Sequence, residues 1–123
     1  MANLGEVLPC WKVYFGWPSS LEAMKGCKVI ADFSVHPIGK GTSVSGYVKP
    51  AVEELKKAKG VRLLVTPMGT IMEADSLSEV LGAVRAAHEA VFRAGATRVS
   101  LSLHVDDRRD KPRRMEDKIA AVS

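Results

Sequence analysis

An α+β sandwich of element order β-α-β-β-α-β is predicted for this chain, with four antiparallel strands carrying two helices on one face. Three observations predict it. Two segments, Val29–His36 and Arg98–Asp106, alternate apolar and polar residues along their length, the period of a half-buried strand. Two others, Val44–Ala58 and Leu77–Val91, space apolar residues three and four apart, the period of a helix face. Between these helices, Val61–Thr66 and Thr70–Ala74 are separated only by Pro67-Met68-Gly69, a link short enough for a hairpin. Right-handed crossovers joined to one hairpin give the ferredoxin-like arrangement.

Each element has its own warrant. In the first strand Val29, Ala31, Phe33 and Val35 share one face, and Ile30, Asp32, Ser34 and His36 the other. Pro37-Ile38-Gly39-Lys40-Gly41 ends it. Thr42 or Ser43 is expected to cap the first helix, whose apolar positions are Val44, Val48, Ala51, Val52, Leu55 and Ala58. Gly60 is its expected C′ residue. Pro50 conflicts with a helix interior, because it removes a hydrogen bond and crowds the preceding turn; a kink or an irregular first turn is expected. Val61, Leu63 and Val65 share a face of the second strand. Ser76-Leu77-Ser78-Glu79 is a capping box that opens a helix with Leu77, Val80, Leu81, Val84, Ala87 and Val91 on one stripe, closed by Gly95. In the last strand Val99, Leu101, Leu103 and Val105 face the core. A charged turn and a short helix presenting Met115, Ile119 and Val122 complete the chain.

The first and last strands are neighbours in this fold. Asp32, Ser34 and His36 are therefore expected beside Ser100, Ser102 and His104, on the sheet face that the helices leave open. Few of these residues are large and apolar, which favours a wet or liganded face over a dry one.

At 123 residues, with 46% hydrophobic and 26% charged residues, the composition is that of one globular domain. The net charge of +4 is scattered, with 11 Lys/Arg against 7 Asp/Glu over Met24–Val105. A nucleic-acid binder concentrates such an excess in a stripe with aromatic residues interleaved. Cys10 and Cys27 offer at most one disulfide and no zinc set; free thiols in a reducing compartment are expected. No apolar run approaches the roughly 18 residues of a membrane span. The N-terminus has no basic region before an apolar one, as a signal peptide would. A cytoplasmic domain without nucleic-acid or membrane partners is expected. Met1–Ala23 differs from the rest in holding Trp11, Trp17, Tyr14, Phe15 and Pro18-Ser19-Ser20. Val13–Phe15 suits a short strand, and Met24 is a second candidate start. The chain is thus read as an extension over 1–26 and a domain over 27–123.

Glu73 is the most informative single residue. Strand interiors disfavour glutamate, so its carboxylate needs a partner, a ligand or open water. It suits either an amino-bearing ligand or a lysine. Met68 and Met72 flank it, as core filler or as soft walls against a flat ring. Gly39-Lys40-Gly41-Thr42-Ser43 lies between strand and helix, where backbone N–H groups cradle anions; its spacing is not that of a Walker loop, and a plain turn is the simpler reading. His36 and His104 are placed to meet across paired strands near Asp106, although hydrated surface histidines explain them equally. His88 reads as a boundary residue on the second helix. Serine, histidine and aspartate are present without a nucleophile-elbow signature, so no catalytic residue and no metal site are assigned. The like-sign doublets in Asp106-Asp107-Arg108-Arg109-Asp110-Lys111 need partners outside each doublet, in a solvated turn or between subunits.

Four motifs in order resemble one family. They are Val35-His36-Pro37-Ile38-Gly39-Lys40-Gly41-Thr42-Ser43-Val44-Ser45, Thr66-Pro67-Met68-Gly69-Thr70 with Glu73-Ala74-Asp75, Ala87-His88-Glu89-Ala90, and Asp106-Asp107-Arg108-Arg109-Asp110-Lys111. Over about Lys28 to Val122 the chain resembles the thiamine-binding-protein-like family of small ferredoxin-like proteins. The resemblance implies a homo-oligomer, typically a homotetramer, that binds thiamine or its hydroxymethylpyrimidine part without a known reaction and without a cofactor. An aminopyrimidine offers an amine and ring nitrogens, which suit a carboxylate and hydroxyls. The expected lining is Ser34, Ser43, Thr66, Met68, Thr70 and Glu73, with Glu73 accepting from the amine. The expected activity is that of a non-enzymatic carrier or sensor. Against it stand an oligomeric interaction module without a small ligand and an acylphosphatase-like hydrolase, for which the candidate loop offers only Lys40.

Overall fold

The structure, a computed structural model, describes residues 29–111 and 113–123. The alternating segment at its start is strand β1, Val29–Pro37. Helix α1, Ser45–Lys57, follows. Strands β2, Val61–Thr66, and β3, Gly69–Ala74, form the hairpin. Helix α2 spans Leu77–Arg93, strand β4 Val99–Asp107, and helix α3 Met115–Val122. The strand order is β2-β3-β1-β4, antiparallel throughout, with α1 and α2 on one face: the ferredoxin-like sandwich. The N-terminal extension, with Val13–Phe15, Cys10 and Cys27, lies outside the described residues.

The core forms between the sheet and the two helices. Val29, Ala31 and Phe33 of β1 meet Leu63 of β2, Met72 and Ala74 of β3, Ala51 and Leu55 of α1, and Val80, Ala87 and Val91 of α2, all at most 3% exposed. The stripe of α2 is centred differently from the expected one. Ala83 and Ala90 join the buried set, whereas Leu77 and Leu81 are exposed. Along β4 Val99, Leu103 and Val105 pack against the core, but Leu101 lies open, as befits an edge strand that the helices only partly cover.

Both helix starts follow local chemistry, in different ways. Ser76 caps α2, its Oγ accepting from the Glu79 N–H at 3.4 Å and donating to the Glu79 carboxylate at 3.0 Å. At α1 the expected cap by Thr42 or Ser43 does not form. Gly39 and Gly41 both take positive φ, and the loop they shape delivers Val44 to the cap position without a side-chain hydrogen bond. The first turn is mixed: the N–H groups of Tyr47 and Val48 both donate to the Val44 carbonyl. Pro50 lies inside the helix, which continues through it. Gly60 is not the immediate helix stop. Ala58 caps in extended conformation, and Gly60, at φ +77°, makes the turn beyond it. There a Cβ would come within 2.5 Å of the Glu79 carboxylate.

The β1–β4 register is the expected one, with Asp32 opposite His104, Ser34 opposite Ser102 and His36 opposite Ser100. It also corrects an expectation. His36 and His104 occupy positions four residues apart along the paired strands, about 13 Å at strand rise, so they do not meet. His104 instead lies 3.8 Å from Asp32, and Asp106 pairs with Lys118 at 2.5 Å.

Candidate functional site

Near the end of β2, Val65 is half open to solvent. The two-residue link Pro67-Met68 turns the chain, and Thr66 pairs with Gly69. Thr66 secures this turn: its Oγ1 donates to the Gly69 carbonyl at 2.8 Å and accepts from the Met68 N–H at 3.3 Å. Gly69 approaches β1 so closely that a Cβ there would lie 3.0 Å from the Phe33 carbonyl oxygen.

Between this turn and α1 lies a cavity of about 210 Å³. Phe33, Val48, Val52 and Val65 contribute apolar surface; Ser34, Thr66 and Thr70 also border the space; Met68 forms the lip and is 90% exposed. Thr70 is buried at the inner end. The arrangement is a small, mostly apolar pocket with no ionisable side chain among the described residues of its lining, suited to a neutral ring that makes one or two hydrogen bonds.

Four of the six residues expected from the sequence, Ser34, Thr66, Met68 and Thr70, meet around this cavity. Ser43 does not; it is exposed in the loop before α1. Glu73 does not either, which corrects the expectation of a ligand-facing carboxylate. Strand alternation points Met72 and Ala74 into the main core and Glu73 through the opposite face. There its Oε2 accepts from Arg62 Nη1 at 2.9 Å and its Oε1 from the Met115 N–H at 3.0 Å. Arg62 and Glu73 are both fully buried. Arg62 also makes a two-pronged contact with Glu116 of α3, one arm at 2.9 Å and the other through Nη2 to Oε2. Burial pushes the Glu73 carboxyl above its ordinary range, against the lowering effect of the Arg62 guanidinium.

Arg62 is the residue that reading the sequence missed. Its signal was present: a two-residue hairpin link sets position 62 opposite position 73. His88 and the charged turn have local roles. His88 sits edge-on to Phe92, with ring centroids 5.0 Å apart. In the charged turn the doublets find partners two residues away, Arg108 on Asp110 and Arg109 on Asp107. Among the described residues no cluster of three metal-ligating side chains forms, and no helix is long and apolar enough to cross a membrane.

Comparison with known proteins assigns the family. The profile described as Thiamine-binding protein matches residues 31–123. The chain belongs to the thiamine-binding protein family. Its relatives include the UPF0045 protein of Methanothermobacter thermautotrophicus, 48% identical over 95 residues, which span 76% of this chain and 95% of the relative. A solved family structure from Methanocaldococcus jannaschii superposes with a TM-score of 0.71 at 42% identity, covering 77% of this chain and 95% of that one. A Thermotoga maritima protein, described as a candidate thiamine biosynthesis/salvage protein, has the same fold. Its TM-score is 0.65 at 21% identity, over 78% of this chain and 99% of that one.

Proposed function

We propose that this member of the thiamine-binding protein family is a non-enzymatic binder of thiamine or its hydroxymethylpyrimidine part, acting as a cytoplasmic carrier or sensor. One observation carries the reading: the α1–hairpin cavity gathers Ser34, Thr66, Met68 and Thr70 around a space of ring size. The aminopyrimidine ring packs between the aliphatic wall of α1 and Met68, whose thioether suits a flat heteroaromatic face. Thr70 supplies a hydroxyl, able to donate once and accept twice, and Ser34 borders the space through β1. Thr66 shapes the site, since its hydroxyl is committed to the turn. In thiamine itself the thiazolium projects past Met68 into water, where its charge stays solvated.

NMR titration with hydroxymethylpyrimidine tests the site. Shifts concentrated on Thr66–Thr70 and the first half of α1 support it, whereas shifts centred on the open sheet face would relocate it.

A second feature favours self-association, as a homotetramer or a smaller homo-oligomer. The nine-residue β4 is a sheet edge with only β1 beside it among the described residues, and such edges template pairing with another strand. The polar face carrying Asp32, Ser34 and Ser102 is open as well. Light scattering tests this reading: a monomer mass at working concentration removes it.

A further inference from the structure

We propose that the open sheet face carries a second ligand site, a groove beside α3 that takes a small ring bearing a phosphate monoester. The groove shares no lining residue with the α1–hairpin cavity and stands independently of the reading above.

Cross-strand register builds its floor. On this face Ile30 lies between Glu73 and Asp106, and Asp32 between Ile71 and His104. Helix α3 is held over the β2–β3 side, through Arg62 and Glu73, and leaves the β1 and β4 positions open beside it. Lys118 reaches across from the helix to Asp106 at 2.5 Å. The result is a space of about 320 Å³ over Ile30 and Ile71, both half-buried, with Asp32 and His104 on one rung and Asp106 and Lys118 at the next.

A narrower cleft of about 70 Å³ shares Ile30, Asp106 and Lys118 with that space and adds Arg108 and Arg113. Three cations from three segments therefore line it with one carboxylate. Asp106 is already held by Lys118, and Arg108 grips Asp110 through Nε and Nη2. Donors are left over. The Nη1 group of Arg108 takes part in neither of its contacts, and an ammonium has three N–H groups, of which Lys118 commits one to Asp106. Arg113 is half-buried and makes no hydrogen bond or ion pair among the described residues. Partial burial costs a guanidinium some of its hydration, and an anion restores what is lost. A phosphate monoester, with about −1.5 to −2 charge near neutral pH and three strong acceptor oxygens, matches this set, because a guanidinium fork holds two such oxygens at once.

The wider space decides what the phosphate is attached to. Ile30 and Ile71 give an apolar floor, and Ile30 belongs to both spaces. One molecule can thus fill the two, its anion at Arg113 and its ring on the isoleucines.

NMR titration of the whole chain with phenyl phosphate, inorganic phosphate and phenol tests this. Phenyl phosphate is expected to bind most tightly of the three and to shift the amides of residues 30–32, 71, 104–108 and 113–118. Arg113→Ala is expected to weaken it about tenfold, the loss of a charge-assisted contact, with an unchanged melting curve. Arg113→Lys, which keeps the charge without the fork, is expected to fall between. Inorganic phosphate binding as tightly as phenyl phosphate would overturn the ring subsite. Unchanged affinity in R113A would overturn the site, as would shifts centred on Thr66–Thr70, which would assign the probe to the α1–hairpin cavity instead.

Discussion

Arg62 and Glu73 face each other across the hairpin, both without solvent exposure, with 2.9 Å between Nη1 and Oε2. The pair lies on the sheet face opposite the α1–α2 core. It reaches α3 through Glu116 and through the Met115 N–H. Met115 is the one residue of α3 that is buried; Ile119 and Val122 are exposed. Charge-assisted contacts, more than apolar burial, hold this helix on the sheet.

Removing Arg62 leaves the buried Glu73 carboxylate without its cation, whereas removing Glu73 leaves Arg62 its contact with Glu116. Arg62→Met is expected to lower unfolding free energy by about 3–5 kcal/mol, measured by urea denaturation. Replacing both, as Arg62→Met with Glu73→Leu, is expected to recover most of that loss, because well-packed apolar side chains often match a buried pair. A single-variant loss below about 1 kcal/mol would contradict the assigned role.

Thr70 sits at the inner end of the cavity, and its hydroxyl is the part that a ligand can use. Thr70→Val keeps the shape and removes the hydrogen bond. Affinity for hydroxymethylpyrimidine is expected to fall by about 0.5–1.5 kcal/mol, a few-fold to roughly tenfold, with thermal stability nearly unchanged. Calorimetry beside a melting curve separates the two effects.

Gly69 holds the turn against β1. A methyl group at this position meets the Phe33 carbonyl oxygen at 3.0 Å, which backbone relieves only by shifting. Gly69→Ala is expected to destabilise the fold by about 1–3 kcal/mol, as overpacking does, and to weaken ligand binding by displacing Met68 and Thr70. Denaturant titration and ligand titration of the same sample check both.

The Arg108 guanidinium holds the Asp110 carboxyl down at about 2, against an ordinary 3.8. The sign follows: the folded state releases this proton more readily than the unfolded one. The pair's contribution is therefore complete above pH 3.8 and is lost as pH falls through about 2. Carboxyl NMR titration is expected to find Asp110 near that value, and Arg108→Ala is expected to return it toward the ordinary one.

Legibility in the sequence tracked how local each determinant is. The alternation in β1 and β4 gave not only two strands but their pairing, down to Ser34 beside Ser102, because strand period and fold topology leave little freedom. The Ser76 cap was readable for the same reason, as it spans three residues. The cap of α1 was not, since the positive-φ glycines at 39 and 41 decide where the helix begins. Glu73 was correctly singled out as needing a partner, but the sequence left its choice open. The deciding contact comes from Met115, 42 residues further along, on a helix whose docking no local period reveals. The cavity was half legible: the turn motif named Thr66, Met68 and Thr70, while the wall from Val48 and Val52 exists only once α1 packs beside the hairpin.

Calorimetric titration of the purified chain with thiamine and with hydroxymethylpyrimidine, beside an unrelated nucleobase, tests the central claim most directly. The account predicts saturable heat with the pyrimidine ligands, no response to the control, and loss of that heat when Thr70→Val is combined with Met68→Ala. A folded, ligand-free protein that gives no heat with either compound would contradict it.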